Sequence, residues 1–107
     1  MSRNILIIID EIIKLLNLCA HKDQAKWFQE RKNTIRDTEN IEEYAAALKE
    51  IKRVLVGMGS FTDLPMCPTN SRALSAKEAR HLQWELASKL GEAIGLELNG
   101  KSNSENK

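Results

Sequence analysis

"RNILIIIDEIIKLLNLCA", residues 3–20, decides the fold class. Its front half, rich in isoleucine, would suit a β-strand, where branched side chains pack well on a pleated surface. The apolar pattern continues past Asp10 and Glu11, however, with Ile5, Ile8, Ile12, Leu15, Leu16 and Cys19 at i, i+3 and i+4 spacing. That period belongs to a helix. Leu6, Ile9 and Ile13 fill an adjacent face, so the apolar arc is too wide for one neighbouring helix to cover. Either this helix lies at the centre of a bundle or part of its face meets another chain, and the central position is the expectation. The same stretch could be mistaken for a signal peptide or a membrane span. A span needs about 20 mostly apolar residues, and Asp10, Glu11 and Lys14 break this run, with no small-residue cleavage site behind it. A cytoplasmic protein that does not cross a membrane is expected.

Working outward, residues 22–36 repeat the helical period more weakly. Ala25, Phe28 and Ile35 line one side with Trp27 beside them, and the rest is charged, which predicts a helix half-exposed to water. "RDTEN" (36–40) reads as a connection. The third helix is the clearest. Asn40 followed by Glu43 approximates a capping box, in which two side chains satisfy free backbone N–H groups at a helix start. Ile41, Tyr44, Ala45, Leu48, Ile51 and Leu55 continue at helical spacing, and Gly57 supplies a stop. Ser75 and Glu78 form a second capping box, followed by a stripe of Ala79, Leu82, Leu86, Leu90 and Ile94, with Trp84 off its centre. The stripe fades after Gly95. Residues 1–98 therefore read as a single helical domain and residues 99–107, "NGKSNSENK", as a disordered polar tail. The expected architecture is all-α, a small four-helix bundle with one long ordered loop before the last helix.

Composition narrows function by exclusion. With 16 basic against 15 acidic residues in 107, the chain lacks the clustered positive charge on which phosphate binding rests. The mixed stretch "KWFQERKNTIR" (26–36) sets Trp27 and Phe28 among basic residues, as single-strand binders do, yet Glu30, Asp37 and Glu39 dilute it and Phe28 suits a core. Nucleic acid is not the expected partner. Cys19 and Cys67 are far apart in sequence, which fits two reduced thiols better than a disulfide framework. Neither His21 nor His81 sits in a catalytic motif, and among Cys19, His21, Cys67 and His81 only Cys19 and His21 are closely spaced, a poor basis for a metal site. The paired acids read as solvated helix faces and capping groups. No cofactor, metal or catalytic residue is assigned, and an enzyme is not the expectation.

One stretch departs from helical patterning: "GMGSFTDLPMCPTNS", residues 57–71. Its order, helix before glycines and no following Lys, is wrong for a phosphate-cradling loop. Gly57 and Gly59 permit backbone angles closed to other residues, Pro65 and Pro68 restrict φ, and Ser60 or Asp63 can bond nearby backbone N–H groups. Such a loop is a rigid element whose Phe61, Leu64 and Met66 are either pinned inward or presented outward. From Val54 onward the chain resembles a family of small bacterial helical proteins in which a helix ends in a GMGS-type turn followed by an Asp-Leu pair, here Gly57, Met58, Gly59, Ser60, Asp63 and Leu64. Proteins of this kind are similar to the immunity proteins encoded beside bacterial toxins, including those of contact-dependent growth inhibition. The resemblance covers about a third of the chain and implies a partner, the C-terminal toxin domain of a cognate toxin, bound without catalysis. Candidate contact residues are Trp27, Phe61, Asp63, Trp84 and Glu85, with Gly57, Gly59, Ser60 and Pro65 shaping the loop. The alternative is a homodimeric regulatory or scaffold protein joined through the wide face of the first helix.

Overall fold

The structure, a computed structural model, describes residues 3–57, 59–69, 72 and 74–105. Four α-helices follow one another: α1 (Arg3–Leu18), α2 (Lys22–Asp37), α3 (Ile41–Leu55) and α4 (Ala76–Glu105), with a single 3-10 turn at Phe61–Asp63 between the last two. The described residues include no strand, and the molecule is a four-helix bundle. α1 packs on α2 and α4, and α3 packs on the same two, while the diagonals α1/α3 and α2/α4 make no close backbone approach among the described residues. Each helix thus occupies one corner. α1 is not the central element that its wide apolar arc predicts, because a four-cornered bundle has no centre.

Within α1, Ile5, Ile9, Ile12 and Leu16 are fully buried, and Ile8, Leu15 and, just past its end, Cys19 flank them. The seam therefore runs through Ile9, and Leu6 and Ile13 pack only in part. Each fully buried aliphatic side chain contributes about 1.5–3 kcal/mol of transfer free energy, so this one helix anchors much of the core. Ala25, Phe28 and Ile35 of α2 and Tyr44, Leu48, Ile51 and Leu55 of α3 are buried as their spacing predicts, whereas Ile41, at the exposed first turn of α3, faces solvent and Ala45 is only partly covered, Ala47 lying on the seam instead. On α4 the seam passes through Ala79, Gln83, Leu86, Ala87, Leu90 and Ile94. Leu82, expected in the stripe, packs only at its edge.

The helix ends show which caps the side chains supply. Ser75 and Glu78 form a complete capping box: Glu78 N–H donates to Ser75 Oγ at 3.1 Å and Ser75 N–H to Glu78 Oε1 at 3.2 Å. At α3 only half the box forms. Asn40 Oδ1 accepts from the N–H groups of Glu42 and Glu43, while the Asn40 N–H goes to Thr38 Oγ1 instead of Glu43. α1 ends in a Schellman motif, with His21 N–H bonded to Leu16 O at 2.8 Å and Ala20 N–H to Asn17 O at 3.1 Å. The αL position of that motif is filled by Ala20, at φ +63°. The α4 backbone continues helical to Glu105, through most of the segment 99–107 read as a polar tail; residues 106 and 107 lie outside the described residues.

α3 and α4 run antiparallel: Tyr44 Oη donates to Glu97 Oε1 at 2.9 Å near one end, and Leu55 lies beside Gly91 near the other. Residues 76–90 of α4, about 22 Å at 1.5 Å per residue, therefore rise past the end of α3. The chain between α3 and α4 fills the vacant corner above it.

Candidate functional site

Gly57 (φ +121°) and Gly59 (φ +76°) start the loop in conformations that L side chains rarely adopt. A Cβ at either would meet nothing within 4 Å, so backbone angle rather than space requires glycine there. The Gly57 carbonyl accepts from both the Ser60 N–H, at 3.1 Å, and the Ser60 hydroxyl. Asp63 folds back, its Oδ2 accepting from the Gly59 N–H at 3.0 Å, while its own N–H donates to Ser60 O. The glycines, Ser60 and Asp63 therefore make one closed turn, in which Asp63 accepts from a backbone N–H as the sequence suggests while the Ser60 hydroxyl donates to a carbonyl instead. Met58 of the GMGS motif lies outside the described residues.

Three ties dock this turn on the bundle. The Phe61 ring, 3% exposed, meets Phe28 edge-on with centroids 5.9 Å apart, and Phe28 meets Trp27 the same way at 5.1 Å. The Gln83 amide, on a residue 2% exposed, donates to the carbonyls of Phe61 at 2.8 Å and Leu64 at 2.9 Å. Further on, the loop reaches the α1–α2 corner. His21 Nε2 donates to Pro65 O at 2.6 Å, and the Leu18 carbonyl accepts from both the N–H and the hydroxyl of Thr69. That carbonyl is one of the last of α1 and would otherwise need solvent.

Between the docked loop, the start of α2 and the end of α3 lies a cleft of about 290 Å³, walled by Trp27, Phe28, Val54, Phe61 and Leu64, with Asp23 and Gln24 at its lip. Trp27 is held on two sides. Phe28 meets one edge, and the Arg31 guanidinium sits 4.5 Å above its ring, itself fixed by Glu50 at 2.7 Å.

The five candidate contact residues do not gather into one surface. Trp27 walls the cleft, half-buried. Phe61 is pinned inward, so its ring stiffens the cleft rather than projecting to a partner. Asp63 is exposed but its carboxylate is engaged in the turn. Trp84, half exposed, and Glu85 lie on α4 outside the cleft. Glu85 pairs with Lys89 at 2.9 Å, and that bond holds its carboxyl below the usual glutamate range, His81 adding a smaller pull. Pro65 acts through its carbonyl as well as its fixed φ. Sequence reasoning missed Gln83, although its position four residues after Ala79 and three before Leu86 places it on the buried stripe. A polar residue there signals a buried hydrogen-bond duty.

Cys19 is buried and Cys67 exposed, both as free thiols. Burial pushes the Cys19 thiol up from its ordinary value, and the neighbouring Cys67 raises it further. Among the described residues no group of three His, Cys, Asp or Glu side chains is placed to hold a metal ion, and no helix is long and apolar enough to cross a membrane. Compared with known protein families, curated proteins and solved structures, the chain finds no match.

Proposed function

We propose that this chain is a cytoplasmic immunity protein that binds the C-terminal toxin domain of a cognate bacterial toxin and blocks it by stoichiometric occlusion. The observation that carries the reading is the preformed cleft beside Trp27. Its volume of about 290 Å³ sits at the lower end of the roughly 300–1,000 Å³ usual for small-molecule pockets, a size that suits one large side chain of a protein partner. Its walls are held before any partner arrives, by the ring contacts of Phe28 and by Gln83. Such preorganisation spares a complex the ordering cost that otherwise weakens it. Tryptophan in a packed setting is also the residue type that most often dominates a binding interface. The GMGS-type loop, through which the chain resembles toxin-neutralising proteins, forms one wall of this cleft. Occlusion needs no catalytic group in the inhibitor.

Co-expression with the toxin encoded beside its gene tests the proposal: cells should grow, and W27A should weaken the complex by about 30-fold or more, the range of a hot-spot residue. W84A and E85A report whether a second patch on α4 contributes. Absence of protection by the wild-type protein would sink the reading.

A second reading, a homodimeric regulator or scaffold, draws on one observation. Ile7 and Leu96 are 50% and 67% exposed on either side of the shallow groove between α1 and α4. Light scattering on the isolated protein separates the readings, a stable dimer favouring the second.

A further inference from the structure

The loop that builds the cleft also brings the two cysteines together. Leu18 and Thr69 are bonded through backbone, N–H to carbonyl at 2.9 Å, and His21 reaches the Pro65 carbonyl at 2.6 Å. Cys19 lies between Leu18 and His21, and Cys67 between Pro65 and Thr69. Two hydrogen bonds therefore bracket the pair, and the segments carrying the thiols run past each other in opposite directions with 47 residues between them in sequence, positions 20–66. A disulfide requires its two α-carbons about 4.4–6.8 Å apart, and the Leu18–Thr69 backbone bond with the His21 side chain on Pro65 sets the two cysteines on facing segments. We propose that Cys67 and Cys19 form a thiol modification site for small disulfides of the glutathione class, Cys67 capturing the disulfide and Cys19 resolving it into an intramolecular bridge.

The two thiols differ in the way this order requires. Cys67 is exposed and can meet a solute, whereas Cys19 is 7% exposed and shielded from one. Burial also raises the pKa of the Cys19 thiol, which disfavours its thiolate, so the thiol that meets the solute first is the exposed Cys67. Cys67 Sγ attacks one sulfur of RSSR; that S–S bond breaks, the Cys67–S–SR bond forms, and RS⁻ leaves to take up a proton. Cys19 then loses its proton and attacks Cys67 Sγ, expelling the second RS⁻. The two protein thiols lose two electrons and RSSR is reduced to two RSH. The product fastens the loop covalently to the α1–α2 corner, beside the contacts of Thr69 and His21. The site stands independently of the immunity reading.

Reduced full-length protein, treated with excess oxidised glutathione at pH 8, alkylated and digested without reduction, supplies the test by mass spectrometry. The expected product is a Cys19–Cys67 linked peptide from monomeric protein, with a thermal midpoint raised by roughly 10 °C or more. In C19A, which keeps the buried site apolar, glutathione should remain on Cys67. In C67S, Cys19 should react at least tenfold more slowly than Cys67 does in C19A. Wild-type protein that retains glutathione on Cys67 without closing, or that gives only intermolecular Cys67 dimers, overturns the proposal. So does a Cys19 in C67S that reacts as fast as Cys67. The wild-type digest carries the result even if a variant folds poorly.

Discussion

Ala20 occupies a position that glycine usually fills. At φ +63° it completes the Schellman motif of α1, and a Cβ in the left-handed region costs about 1–2 kcal/mol. Glycine also has more freedom to lose on folding, which offsets part of the gain. A20G should therefore stabilise the protein by about 0.5–1 kcal/mol in urea unfolding. At Gly57 the logic runs the other way. Its φ of +121° is closed to L residues while space around it is free, so G57A should lose about 1–2 kcal/mol through backbone strain alone. Glu78 carries a pH signature. Its bonds to the Ser75 side chain and then to the Ser75 backbone hold its carboxyl below the ordinary glutamate value of 4.5. A carboxyl depressed in the folded state stabilises above its unfolded pKa, and loses that contribution as pH falls through the folded one. The thermal midpoint of wild type should thus exceed that of E78Q at pH 7, and the gap should close on acidification below about 4.5. A gap independent of pH would show that the charge is not involved.

At the scale of elements, the chain between α3 and α4 behaves as a substitute for helix. α3 stops where Leu55 meets Gly91, and the loop then covers the buried stripe of α4 that α3 leaves open. A helix would satisfy its own backbone; a loop cannot, so its carbonyls need outside donors. Gln83 supplies two at once, to Phe61 and Leu64. Q83L keeps the volume and removes both, at a cost of about 1–3 kcal/mol, because the Leu64 carbonyl loses its donor while the Phe61 carbonyl keeps the Leu64 N–H. Far-ultraviolet circular dichroism should be unchanged, because no helix depends on this amide, while limited proteolysis should begin to cut within residues 57–69. Unchanged protease resistance would mean that the Phe28–Phe61 contact and the Thr69 tie suffice to hold the loop.

For the whole molecule, the bundle distributes one residue type into opposite roles. Ile12 is fully buried and Ile7, five positions earlier, is half exposed. I12A should lose about 2–5 kcal/mol, a large share of the 5–15 kcal/mol typical of a domain. I7A should stay within about 0.5 kcal/mol in the monomer. If the groove between α1 and α4 joins two copies, I7K combined with L96K should abolish the dimer in light scattering while leaving the melting of the monomer in place.

The sequence by itself determined the four helices up to residue 98, because period and capping residues are local, but not the end of α4, which runs on to Glu105 through polar residues that carry no apolar period. The stripes of α1, α2 and α3, the Ser75–Glu78 box and the glycine-shaped turn at residues 57–63 are all legible there. The breadth of the α1 stripe misleads about its place, since an apolar arc records how much surface is covered and not by how many neighbours. Only the tertiary structure decided that Phe61 points inward, that Gln83 rather than Leu82 lies on the α4 seam, and that Trp27 walls a cleft apart from Trp84 and Glu85. It also set Cys67 beside Cys19. Each of these depends on where α3 ends relative to α4, a long-range packing outcome that local spacing does not encode.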